Sequence, residues 1–148
     1  MIGSYTYNVT PVTYATWCGN NHLTGTNAPQ TAVIAHDRLN NLYKYALGLN
    51  PATNDNKPDP TPPSAGSTPL PLVAVQSVSG VNYLTLTFTG VATGVTYKIQ
   101  ASSDLTSPWN TIQTFPSGGF APETQTVQHT QSIISSKNRF LRLLMSVP

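Results

Sequence analysis

Residues 82–90, NYLTLTFTG, put Leu84, Leu86 and Phe88 on one face of an extended chain and Thr85, Thr87 and Thr89 on the other. Alternation with a period of two is the signature of a strand with one face on a core and one in water. The pattern extends outward from there. In TYKIQAS (96–102), Tyr97, Ile99 and Ala101 share the inward face. LVAVQSV (72–78) precedes these runs, and WNTIQTF (109–115) and ETQTVQHTQ (123–131) follow. The closing NRFLRLLMSV (138–147) differs, because Leu141, Leu143 and Met145 lie on one face while Phe140 and Leu144 lie on the other. Apolar residues on both faces predict an inner strand or one covered by a helix. Turn-forming stretches recur between the runs at TGVATG, SDLTSP, PSGGFAP and SSKN.

The reading is therefore a mainly β fold, an immunoglobulin-like antiparallel β-sandwich over residues 72–148 with about six strands, where about seven or more is usual. Ahead of it, residues 53–71, TNDNKPDPTPPSAGSTPLP, have the composition of a linker with polyproline character. Residues 1–52 hold an N-terminal β segment and a helix. In SYTYNVTPVTYATW (4–17), Tyr5, Tyr7 and Val9 share a face opposite Thr6, Asn8 and Thr10, until Pro11 interrupts the ladder. That is an edge strand, or one that pairs beyond its own fold. It supplies the missing strand to its own domain or, by strand addition, to a neighbour.

The helix is short and amphipathic. Leu39, Leu42, Tyr43, Ala46 and Leu47 fall at helical spacing and predict one apolar stripe. Gly48 closes it, Pro51 stops its continuation, and Asp37 or Asn40 is placed to cap its start. A helix this short is marginal alone and must pack on the sheet.

Only 8% of the 148 residues are charged, with a net charge of +2. The place of charge is taken by Thr, Ser, Asn and Gln, a composition common outside the cell. There is no basic run and hence no electrostatic footprint for nucleic acid. No apolar run is long enough for a membrane span. Residues 1–11 lack the pattern of a signal peptide. The lone cysteine, Cys18, is a small buried thiol or an intermolecular bridge, with no neighbouring base to activate it.

Little catalytic chemistry is legible. His22, His36 and His129 have no ligand-like spacing and read as surface or loop residues. Asp37 is placed to orient the His36 ring, but no serine sits in a nucleophile elbow. Five acidic residues are too scattered to supply a carboxylate pair. Asp104 belongs in a turn, satisfying its own backbone. No cofactor is expected, and the chain reads as a non-enzyme. Trp109 reads as core. Tyr5, Tyr7, Val9, Val12 and Tyr14 have no evident internal partner and form the candidate assembly interface.

HDRLNNLYKYALGLNP (36–51), the Pro-rich stretch after it, TYKIQASSDLTSPW and NRFLRL together resemble a C-terminal module of secreted bacterial surface proteins. The likeness covers roughly residues 33–148. In that family a run of the form D-x-D-x-D-G-x-x-N-L-x-E-Y-A-L-G-L-N-P precedes an immunoglobulin-like sandwich. The resemblance implies a calcium loop with carboxylates at its first, third and fifth positions, glycine at the sixth and glutamate at the twelfth. Those positions hold Val33, Ala35, Asp37, Arg38 and Lys44 here, so only Asp37 survives as a ligand and no metal is expected. Lys44 then has two readings: an ammonium paired with Asp37 in place of the ion, or a solvated residue on the polar face of the helix.

The functional expectation is an extracellular or cell-surface structural subunit that self-assembles, as a fibre if the N-terminal strand is donated to a neighbour. Its partners would be copies of itself or neighbouring surface proteins. The rivals are a carbohydrate-binding module, whose partners would be glycans, and a sorting or anchoring domain at the C-terminus of a larger secreted protein.

Overall fold

A computed structural model of the chain describes residues 12–55, 70–92, 94–106, 108–117, 123–135 and 138–147. The expected N-terminal strand, with Tyr5, Tyr7 and Val9, lies outside the described residues. So does most of the expected linker.

Among the described residues, six strands form: β1 (Leu72–Val78), β2 (Val81–Gly90), β3 (Thr96–Ser102), β4 (Asn110–Phe115), β5 (Glu123–Ser132) and β6 (Phe140–Ser146). They make two antiparallel sheets, ordered β1-β2-β5 and β4-β3-β6, and the fold is a β-sandwich. The alternation in β2 and β3 builds its core. Leu86 and Phe88 of β2 are buried with Tyr97 and Ile99 of β3 and with Leu143 and Met145 of β6. The rings of Phe88 and Tyr97 stack with centroids 5.4 Å apart. Each such side chain contributes about 1.5–3 kcal/mol by leaving water. Thr85 departs from its expected outward placement. It is buried, although the unbroken β1–β2 register keeps it on the face opposite Leu84 and Leu86; the β2–β5 register slips beside it, with the extra residues in β5. Its hydroxyl donates to the Ala74 carbonyl of β1.

β6 meets one of its two expected alternatives. Among the described residues it pairs with β3 alone and is therefore not an inner strand, but α2 packs against it. Leu144, on its outer face, is exposed.

Two α-helices stand where one was expected. α1 (Tyr14–Asn20) begins at Thr13, whose hydroxyl oxygen accepts from the Thr16 N–H. Its Tyr14, Trp17 and Cys18 fall at helical spacing, but Val12 and Tyr14 also fit alternation, so the sequence reads as a continuation of the β segment. α2 (Asn41–Leu47) is capped by Asn40, whose Oδ1 accepts from the Tyr43 N–H at 2.9 Å. It closes at Gly48, in the left-handed region at φ 70°, where the Leu49 N–H reaches the Lys44 carbonyl at 2.7 Å. A Cβ at Gly48 would lie 2.9 Å from Val91 Cγ2, so both conformation and space require glycine.

α2 is pinned to the sandwich by its own backbone. The Ala46 carbonyl accepts from the Val91 N–H at 3.1 Å and from the Tyr97 hydroxyl at 2.8 Å. Its burial exceeds the single stripe expected, because Tyr45 and Lys44 are buried as well as Ala46 and Leu47. Tyr45 faces α1, with Tyr14 and Trp17 at centroid distances of 5.3 and 5.9 Å. Tyr43 faces β6, its hydroxyl donating to the Leu143 carbonyl at 3.3 Å. The helices and both sheets thus share one apolar core.

Candidate functional site

Two features stand apart from ordinary packing, and α2 forms part of both. The first is an oxygen cage around an ammonium. Lys44 is completely buried, and its Nζ lies 2.7 Å from Asp37 Oδ2. The same ammonium lies 3.2 Å from Asp55 Oδ2 and 3.3 Å from the Asn50 carbonyl, and donates to the Thr53 carbonyl as well. The solvated reading of Lys44 is therefore incorrect. The side chain runs inward because the chain turns at Gly48 and returns over the helix end, bringing the carbonyls of residues 50 and 53 above it.

Asp37 is engaged through both oxygens. Its Oδ1 accepts from the Leu39 N–H at 3.0 Å, and its Oδ2 accepts from the Asp55 N–H at 3.1 Å in addition to Lys44. Burial alone would raise its pKa, but the Lys44 ammonium and the two backbone N–H groups outweigh that and hold it below the ordinary value. The neighbours His36 and Arg38 take left-handed φ values of 54° and 65° and stay exposed, which turns Asp37 inward between them. Asp37 is turned inward and buried while the His36 ring is exposed, and its hydrogen-bond partners are Leu39, Asp55 and Lys44.

Of the other positions matched to a calcium loop, Val33 and Arg38 are exposed and Ala35 is half-buried. None of the three adds a ligand oxygen from its side chain. Among the described residues, no three His, Cys, Asp or Glu side chains are grouped to hold a metal. The residues present do not fit a calcium ion, because the Asp37 carboxylate is already committed to a covalently tethered cation.

The second feature is an apolar groove of about 360 Å³ on one side of the sandwich. Its floor and walls include Leu86 of β2, Leu141 and Leu143 of β6 and Val73 of β1, and Leu39 and Tyr43 form the rim at α2. β1 carries no buried residue along its length. Val73 and Val75, on the face of β1 turned toward the second sheet, are 45% and 57% exposed. They have that exposure because the second sheet ends at β6 and, among the described residues, places no strand opposite β1.

The expected interface residues separate. Tyr5, Tyr7 and Val9 lie outside the described residues. Val12 is partly buried, and its carbonyl accepts from the Tyr45 hydroxyl at 2.6 Å. Tyr14 has the internal partners it was expected to lack: Trp17 and Tyr45 rings, and the Ala28 carbonyl at 2.8 Å from its hydroxyl. Burial and the nearby Cys18 push its pKa up to about 12. Cys18 is buried, its thiol directed at the Ala28 carbonyl.

Three further expectations meet the structure at single residues. Trp109 is half-buried outside the core, with the Arg142 guanidinium 4.2 Å from its ring centroid. His129 is buried and not at the surface, its Nδ1 accepting from the Gln131 N–H at 2.9 Å. Asp104 lies in a turn, where its Oδ1 accepts from the Thr106 N–H at 2.9 Å.

Sequence reasoning did not find the groove or the cage oxygens of Asn50, Thr53 and Asp55. LVAVQSV signals a strand but not which of its faces lacks a cover. Asp55 lies 11 residues beyond Lys44 in a polar stretch, with no spacing rule to link them. No helix among the described residues is long and apolar enough to cross a membrane. Compared with known proteins, the chain matches no family model, no curated protein and no solved structure.

Proposed function

We propose that this chain is a non-enzymatic structural subunit, working outside the cell or at its surface, that assembles with copies of itself. The single observation that carries the reading is the open side of the sandwich. β1 and β6 both end their sheets there among the described residues, and the groove between them leaves Val73 and Val75 in water. Exposed, regular, apolar edges invite pairing with another chain, and proteins that stay apart blunt them with charge, proline or bulges. β1 contains none of these. The N-terminal run with Tyr5, Tyr7 and Val9 on one face is the natural donor for such an edge. The low charge of the chain lowers the repulsion between identical copies.

The test is light scattering with size-exclusion chromatography on the intact chain, with negative-stain imaging, beside a chain lacking residues 1–11. Truncation stops there because Val12 and Tyr14 belong to the core. Large particles or fibres that disappear on truncation support the reading. An intact chain that remains monomeric at every concentration overturns it, and glycan binding is then the next activity to assay.

A further inference from the structure

We infer that the free edge of β6 and the adjoining groove are the acceptor site for residues 4–10 of a second copy of this chain. This rests on the self-assembly reading and adds to it the place where the strand is received.

The argument begins with β6 itself. Leu141, Leu143 and Met145 line its inward face, and β3 is its sole strand partner among the described residues, so its other edge is open to pairing. A further strand beside β6 would extend the second sheet over Val73 and Val75 of β1, which lack a cover. The groove lies along the path such a strand would take. Residues 4–10 have the same length as Phe140–Ser146. Their apolar side chains at positions 5, 7 and 9 repeat with the spacing of Leu141, Leu143 and Met145. Thr6, Asn8 and Thr10 would then lie on the watered face of the extended sheet. Main-chain hydrogen bonds supply affinity in such pairing, and the alternate side chains in the groove supply register.

The occupant comes from a second copy because of where the first one starts. The Val12 carbonyl is held by the Tyr45 hydroxyl on the α1 side of α2, whereas the groove is reached by Tyr43. Positions 43 and 45 point in nearly opposite directions from a helix of about 3.6 residues per turn. Val12, the first described residue, thus lies across α2 from the groove.

Cross-linking of full-length chains tests the assignment, with Cys18→Ser as background so that no other thiol competes. One population carries Tyr7→Cys and a second carries Leu141→Cys; they are mixed under mild oxidant and resolved by mass. Val73→Cys serves as a second acceptor, because its exposed side chain makes the substitution harmless to folding. Leu144→Cys, on the opposite face of β6, is the control. The expected result is a heterodimeric disulfide with Leu141→Cys or Val73→Cys at a yield at least tenfold above that with Leu144→Cys. Equal yields at all three positions overturn the groove as acceptor. An intramolecular disulfide in a chain carrying both Tyr7→Cys and Leu141→Cys, independent of concentration, overturns the second copy as donor. A chain that scatters light as large particles without these cross-links refutes the acceptor and leaves self-assembly standing. A chain that is monomeric throughout refutes both.

Discussion

The two sides of the sandwich are finished differently. On one side lie β4 and β5, whose ladders both carry a register slip and whose exposed residues are Asn, Thr and Gln. The threonine hydroxyls of β2 and β5 pair across the ladder there, Thr87 with Thr126 at 2.8 Å and Thr89 with Thr124 at 2.7 Å. On the other side lie β1 and β6, whose ladders are regular and whose exposed residues include Leu72, Val73, Val75, Val78 and Leu144. Bulged, polar edges resist pairing and flat, apolar edges promote it. One sandwich therefore carries a polar, bulged side and a regular, more apolar one, and the proposed assembly uses the second. α2 forms the rim of the second, and the Lys44 cage holds its end.

The comparison breaks most severely if the rim is released. Lys44→Ala removes the cation that pairs with the buried Asp37 carboxylate and is expected to cost about 3–5 kcal/mol, read from chemical denaturation. The pH profile tests the same pair. Because the folded pKa of Asp37 lies below its unfolded value, its contribution is complete above the unfolded value of about 3.9 and is lost as pH falls through the folded one. Thermal stability of the native chain should therefore fall below about pH 4, and the Lys44→Ala chain should show a smaller fall.

Tyr97→Phe should cost about 1–3 kcal/mol by stripping a buried hydroxyl from the Ala46 carbonyl, loosening α2 from the sheet. Burial also raises that hydroxyl to a pKa of about 12. Its contribution is then present below the unfolded value of about 10 and is lost as pH climbs toward the folded one. An alkaline titration should show the native chain losing stability in that window and the Tyr97→Phe chain losing less. Gly48→Ala should cost about 1–2 kcal/mol, because alanine is strained at this φ and meets Val91.

The smallest effect on stability sharpens the comparison most. Val73→Lys gives the β1 edge the charge that edges ordinarily carry, and should change stability by no more than about 0.5 kcal/mol. It should nevertheless abolish assembly in light scattering, while Thr126→Lys on the β5 side leaves assembly unchanged. Equal behaviour of the two variants would erase the distinction between the sides.

Much of the fold was legible in particular residues. Leu86, Phe88, Tyr97 and Ile99 announce their burial by alternation, and Asn40 and Gly48 announce the ends of α2 by chemistry. α1 was not legible, since it lacks the glycine and proline stop that follows α2 and Tyr14 lies in a run that alternates like a strand. The cage was half legible. Asp37 and Lys44 could be paired by their positions, but the solvated alternative stood until burial decided it. Asn50 and Thr53 contribute main-chain carbonyls, which every residue type carries and no sequence can mark.

By itself, the sequence determined the period of each strand, the stop of α2 and the want of carboxylates at Val33, Ala35 and Lys44, because these depend on residues near one another along the chain. Tertiary structure alone decided that Lys44 is buried, that β6 ends its sheet and that β1 faces a groove. Those facts depend on what lies across the core from a residue, and neighbours in space leave no trace in local spacing.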